Sequence, residues 1–318
     1  MMRVAAPVRR ALAAGLPVVA LESTVLTHGL PRPENLELGR TLERIVREAG
    51  ALPATVGVLA GTLVVGLDDA EMARLARGPA SKASLWNLAG LAAQEADAGT
   101  TVATTLHAAG RCGIAVFATG GLGGVHDVPY DESADLAALA RERVVTVCAG
   151  PKSMLDARAT LERLETAGVA VVGWRSDHLA GFLTTSTDLP VPVRVEDVHD
   201  VARIVHAQRA LGLPGAIVVS RGVDEGLDPA VLGGWLDEAR RLAAEAGVRG
   251  RDVTPFLLDR LATISAGATV AVNLRVLAGN ARLAAEIAVA LAASPTDTRH
   301  ESPDVHDAAL SGSRGGQR

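Results

Sequence analysis

Lysine is almost missing from this chain. Lys82 and Lys152 are its only two, in 318 residues that carry 31 basic side chains. Arginine replaces lysine freely wherever only charge and solubility matter. It cannot do so where chemistry needs an amine that sheds its proton. The two lysines are therefore either chance survivors on the surface or sites of chemistry. Aromatics are nearly as scarce: Trp86, Trp174, Trp235, Phe117, Phe182, Phe256 and Tyr130. Few rings to stack bases, no basic run and a net charge of −5 argue against nucleic-acid binding. The two cysteines, Cys112 and Cys148, sit in apolar strand-like contexts and read as core thiols rather than a disulfide or metal pair. No Cys/His spacing suggests zinc. No apolar run of membrane-spanning length and no signal-peptide pattern are evident, so a soluble cytoplasmic protein is expected.

What remains is Val, Leu, Ile and Ala in short runs: Val18–Leu21, Thr55–Ala60, Ile114–Ala118, Val144–Ala149, Val169–Val172 and Ala216–Val219. Amphipathic stretches follow most of them, at Asn35–Glu48, Ser153–Ala167, Val195–Leu211 and Pro229–Ala246. Continuous apolar strands separated by helices predict a mostly parallel sheet covered on both faces. Helices over Thr254–Ser265 and Thr269–Ala293 close one domain, 1–293. From Ser294 to Arg318 the composition turns polar and loses periodicity, as in a disordered tail.

Several residues stand where chemistry is expected. Glu22 ends an apolar run, and open α/β sheets bind ligands beyond the carboxyl ends of their strands. It reads as a general acid with a raised pKa, or as a strand-end carboxylate paired with an arginine. Ser23, Thr24, Thr27 and His28 follow, to bond a ligand or satisfy a turn. Gly120, Gly121, Gly123 and Gly124 form a turn that could bring backbone N–H groups close to an anion, or simply flex. Asp131 to Asp135 opens a helical run in which Ser133 could be the N-cap. Alternatively Asp131 binds a hard divalent cation while Ser133 to Asp135 touch substrate. Lys152, after Gly150-Pro151, is read into the first turn of the next helix, where desolvation and the helix dipole favour a neutral amine. Lys82 could hold a phosphate or carboxylate, or act on Lys152 by like charge. Asn273 and Asn280, seven apart on the last helix, share a face and meet a ligand or bridge helices.

In this order the pieces resemble the pseudouridine-5′-phosphate glycosidase family, also called indigoidine synthase A-like proteins. The matching stretches include Ala20-Leu-Glu-Ser-Thr24, Gly99-Thr-Thr-Val-Ala103, Val116 to His126, Ser133-Ala-Asp-Leu136, Val147-Cys-Ala-Gly-Pro-Lys-Ser153, Thr254-Pro-Phe-Leu-Leu258 and Asn273 to Ala288. They spread over residues 10 to 292. The resemblance implies a three-layer α/β/α sandwich, a homotrimer, Mn²⁺ as cofactor, and reversible cleavage of the C–C bond between ribose 5-phosphate and uracil. It implies Lys152 as nucleophile, Glu22 as proton donor and Asp131 as metal ligand. Lys82, Val102, Ser133, Ala134, Asp135 and Asn273 would contact substrate. A C–C glycoside has no leaving oxygen to protonate, so the two carboxylates of ordinary glycosidases do not suffice. An amine on C1′ gives an iminium that draws off the electron pair, and an acid protonates the departing carbon.

The chain departs from the family in places. Ser84-Leu-Trp-Asn87 stands for the usual Ser-Arg-Arg-Asp, Ser220-Arg-Gly-Val223 for Asn-Pro-x-Pro, and Gly279 for an Asn. The Lys, Glu and Asp candidates remain. The expectation is retained C–C chemistry with an altered phosphate or base pocket, in which Arg221 restores a positive charge.

Overall fold

The computed structural model of the protein describes residues 1–29, 32–126, 128–248 and 253–293. The tail expected over 294–318 lies outside them. In chain order the elements are β1 (Met2–Val4), α1 (Ala6–Ala13), β2 (Val18–Leu21), a π-helical turn (Val25–Gly29), α2 (Glu34–Glu48), β3 (Leu52–Leu59), β4 (Thr62–Val65) and α3 (Asp69–Arg77). Next come β5 (Ser81–Ala83), α4 (Leu88–Ala93), β6 (Ala98–Thr100), α5 (Val102–Cys112), β7 (Val116–Ala118), α6 (Ala134–Arg141), β8 (Val145–Cys148) and α7 (Ala157–Thr166). Then follow β9 (Ala170–Trp174), β10 (Val193–Val195), α8 (Val198–Ala210), β11 (Ile217–Ser220), α9 (Pro229–Glu245), α10 (Val253–Ile264) and α11 (Ala268–Ala293).

The strands run in the order β1-β4-β3-β2-β7-β8-β11-β9-β10, with β6 on β3 and β5 on β6. From β3 to β10 every pairing in the main sheet is parallel. Antiparallel pairing enters where the second half of β3 meets β4 and β6. Strand residues alternate between two cores, as the two-residue period of a strand requires. Val18, Ala20 and Val218 point to one core with Leu106 and Leu139; Val19, Leu21, Ile217 and Val219 point to the other with Ile45, Ala284 and Ile287. Helices α5 and α6 cover the first face, and α2, α8 and α11 the second. This is the expected three-layer sandwich.

Four sequence expectations need correction. Helix α7 does not begin at Ser153: Asp156 caps it by accepting from the Ala159 N–H, so Lys152 precedes the helix in a loop. Helix α8 begins at Val198, because Val193–Val195 pairs with β9 as the edge strand β10. Cys112 ends helix α5 and is only partly buried, while Cys148 in β8 is a core thiol that burial pushes up to about 12. Finally, α11 has 26 residues and is long and apolar enough to cross a membrane. Its apolarity is used inside the protein, where Val272, Val276, Ala281, Ala284 and Ile287 pack against other elements.

Candidate active site

A cavity of about 660 Å³ opens at the carboxyl ends of the central strands. That size suits a nucleotide-scale ligand. Glu22, Lys82, Val102, Asp131, Ser133, Asp135 and Lys152 all line it, together with Thr24, His28, Trp86, Asn87 and His126. Sequence positions more than a hundred apart thus meet in one place. Ala134 and Asn273 are not on its wall. Asn273 lies against the glycine turn instead, with Oδ1 3.4 Å from where a Cβ on Gly120 would lie.

Glu22 follows β2 directly. The register pairs Leu21 with Ala118, which brings Thr119 beside Glu22, and the Thr119 hydroxyl donates to Glu22 Oε1. Burial raises the Glu22 pKa; the Lys152 ammonium and the Thr119 hydrogen bond oppose that rise, and the Asp135 charge adds to it. Among the described residues no arginine pairs with Glu22. Ser23 and Thr24 serve the scaffold, since Ser23 Oγ accepts from the Thr100 N–H at 3.0 Å and Thr24 Oγ1 donates to its carbonyl at 2.7 Å.

Lys152 is placed by the strand β8 loop rather than by a helix. Gly150, with φ of +80°, lets the chain turn against Ala180, where a side chain would meet the Ala180 carbonyl oxygen at 2.2 Å. The Lys152 N–H then donates to the Leu122 carbonyl at 3.0 Å, fixing the residue against the glycine turn. Lys82, in β5, has its pKa lowered by burial first and by the Lys152 charge second, with Asp135 and Glu22 working the other way. The sequence suggests that Lys82 acts on Lys152; the like-charge effect found is that of Lys152 on Lys82.

Ser133 caps α6, its Oγ accepting from the Asp135 N–H at 3.2 Å. The Asp135 carboxylate is buried and occupied on both oxygens. It accepts from the Ala103 N–H at 2.9 Å and from the Gly123 N–H at 2.8 Å. The anion that the glycine turn approaches is thus the protein's own Asp135. Gly123 has no alternative, because a Cβ there would lie 2.2 Å from Ser133 Oγ. Asp135 clamps the start of α5 to the turn that carries Lys152's partner. An Asp135→Asn exchange turns one acceptor into a donor that faces a buried N–H. We expect stability to fall by about 1–3 kcal/mol. The check is a urea midpoint that drops while the m-value holds.

Thr119 and Asn280 complete the scaffold. Asn280 is fully buried and its Nδ2 donates to the carbonyls of Thr119 at 2.8 Å and Gly120 at 3.3 Å, so this residue bridges helix and loop. Thr119 was legible only through strand register, which composition does not give. Arg221 does not line the cavity. It packs against α11, where a Cβ on Gly279 would meet its Nη1 at 2.4 Å, and its Nη2 donates to Asp224. A restored pocket charge at Arg221 is thereby corrected to a packing partner of Gly279.

Comparison with known proteins places this geometry. The family model described as indigoidine synthase A like protein matches residues 7–290. A pseudouridine-5′-phosphate glycosidase of Thermus thermophilus is 55% identical over 276 residues, 87% of this chain and 98% of that protein. One of Salinispora tropica is 52% identical over 290 residues, 89% and 90% of the two chains. Among solved structures, a prealnumycin C-glycosynthase in complex with ribulose 5-phosphate superposes with a TM-score of 0.85 at 38% identity, covering 92% of this chain and 97% of that one. An indigoidine synthase A-like protein of Thermotoga maritima gives 0.85 at 35% with the same coverage.

Proposed function

Because the chain belongs to the indigoidine synthase A-like family, we propose that it is a pseudouridine-5′-phosphate glycosidase, cleaving the C–C glycosidic bond to give ribose 5-phosphate and uracil. One observation carries the mechanism: the only two lysines and the buried Glu22, whose pKa burial raises, share one cavity wall at the sheet's carboxyl edge. Lys152 attacks C1′, and the ring oxygen leaves with a proton, giving a secondary amine on the opened sugar. The C1′–C5 electron pair then passes to uracil C5, which takes the Glu22 proton. An iminium remains between C1′ and Lys152. Water hydrolyses it, releasing ribose 5-phosphate and the free amine. Thr119 holds Glu22 in place through its hydroxyl. Lys82 supplies the charge that receives the phosphate, because the Ala103 N–H at the start of α5 is already taken by Asp135.

Asp131 lines the cavity, and its carboxylate has no hydrogen bond or ion pair among the described residues. Nor, among those residues, does a group of three or more His, Cys, Asp or Glu side chains gather that could hold a metal. One free carboxylate with water completing the shell fits a hard cation such as Mn²⁺, which would polarise the substrate's oxygens. We expect Asp131→Asn to abolish Mn²⁺ binding seen by electron paramagnetic resonance, with activity falling about tenfold or more. A variant that still binds the ion would remove Asp131 from this role. We further propose a homotrimer.

The test of function is direct. Ribose 5-phosphate, uracil and Mn²⁺ should yield pseudouridine 5′-phosphate, and strong preference for the phosphate over free pseudouridine would overturn the altered pocket expected from the sequence. Equal use of both would mean that the phosphate pocket has changed. The likeness to a C-glycosynthase supports a second reading, in which the same lysine joins the sugar to another aromatic acceptor. Supplying such acceptors in place of uracil separates the two.

A further inference from the structure

Trp86 is 75% exposed, although tryptophan is among the most buried side chains on average. It lies on the cavity wall. Three other apolar side chains line that wall, Leu91, Val102 and Leu155, and they are only 9, 2 and 8% exposed. The indole is therefore the one broad apolar face that this otherwise polar cavity offers to a ligand among the described residues.

Its placement is held from both sides. The turn Ser84–Asn87 is closed by Asn87 N–H donating to the Ser84 carbonyl at 3.1 Å and by Ser84 N–H donating to Asn87 Oδ1 at 2.8 Å. Asn87 Nδ2 also donates to the Lys82 carbonyl at 3.1 Å, tying the turn to the strand that carries Lys82. Leu85 packs into the core, so the next side chain, Trp86, is directed outward. No hydrogen bond or ring contact holds the indole itself among the described residues.

We propose that Trp86 is an aglycone-binding residue, a platform on which the aromatic aglycone of the C-ribosyl phosphate stacks. The inference rests on the glycosidase reading above. Sugar hydroxyls and phosphate present donors, acceptors and charge, which the lysines, His28 and Ser133 can meet. Only the base has a flat face of low polarity, and among the lining residues Trp86 offers the broadest apolar match, the imidazoles of His28 and His126 being smaller and polar. Stacking of this kind is insensitive to ring identity, so the platform admits aromatic aglycones besides uracil.

The experiment uses the full chain in the synthetic direction, with ribose 5-phosphate and uracil varied separately. Trp86→Ala should raise the KM for uracil about tenfold or more while the KM for ribose 5-phosphate stays within about twofold. Trp86→Phe should recover most of the loss. Uracil added with ribose 5-phosphate should quench tryptophan emission in the wild type and not in Trp86→Ala, in which Trp174 and Trp235 remain. An unchanged uracil KM, or equal rises for both substrates, overturns the platform. So does a loss of activity accompanied by a smaller assembly in light scattering, which would make the indole a subunit contact. If the wild type makes no nucleotide, the glycosidase reading fails, and the quenching experiment still decides whether the indole meets the base.

Discussion

Replacing Lys152 by arginine should abolish turnover, with a fall of at least about 10³-fold. The guanidinium keeps the positive charge and much of the length, yet it does not deprotonate in a protein and cannot attack C1′. That the substitution is conservative in charge makes the result informative, since the electrostatic field on Glu22 survives while the nucleophile does not. Reduction with borohydride in the presence of ribose 5-phosphate should add the opened sugar to the wild type at Lys152, located by peptide mass mapping. The second lysine makes the mapping necessary. Burial and its neighbour lower the pKa of Lys82, so on acidity alone it is a rival nucleophile. Lys82→Met should retain the adduct at Lys152 while weakening phosphate-dependent binding, because it removes the charge and keeps the bulk. An adduct at Lys82 in the wild type would exchange the two roles. The Lys152→Arg variant should still bind ribose 5-phosphate, because Lys82 is untouched.

The scarcity of lysine pointed to this pair because a surface that tolerates arginine everywhere makes each remaining amine conspicuous. Central strands were equally legible: β2, β8 and β11 are buried on both faces and so read as unbroken apolar runs. The edges were not. β1, β5 and β10 have three residues each and include exposed ones, too short to show any period. Helix starts were readable only where a capping side chain was weighed against the apolar pattern. Asp156 caps α7, but the apolar Met154 and Leu155 before it extended the pattern back to Ser153 and drew Lys152 into the helix. The deepest gap concerns Asp135 and Thr119. Their roles arise from contacts across 32 and 97 residues, to Ala103 and Glu22, that no local signal encodes. Asp135 resembled a first-turn acid suited to a helix dipole or a substrate. It is a buried acceptor shared by two backbone donors, and that distinction exists only after the chain has closed.

Glu22→Gln should cost about 10²–10⁴-fold in rate, the range for removing a positioned general acid. The pH dependence distinguishes this from simple damage. Burial raises the Glu22 pKa, so its proton is retained further into the range where an exposed glutamate is ionised. The active form for cleavage carries that proton. Activity should therefore be limited on the alkaline side as pH rises through the raised value. That limb should vanish in the Glu22→Gln variant, whose amide has nothing to titrate. The Thr119 hydrogen bond favours the carboxylate and works against the rise. Thr119→Val should therefore move the alkaline limb to higher pH, with a smaller loss of rate than Glu22→Gln. A buried carboxyl whose folded pKa lies above its unfolded value contributes stability that is fully present below the unfolded pKa. The contribution is lost as pH rises through the folded pKa. The Glu22→Gln variant should then be more stable than the wild type at alkaline pH, and this relative gain should disappear on acidification. An alkaline limb that survives the substitution would assign the proton to another group on the cavity wall and leave Glu22 a structural role.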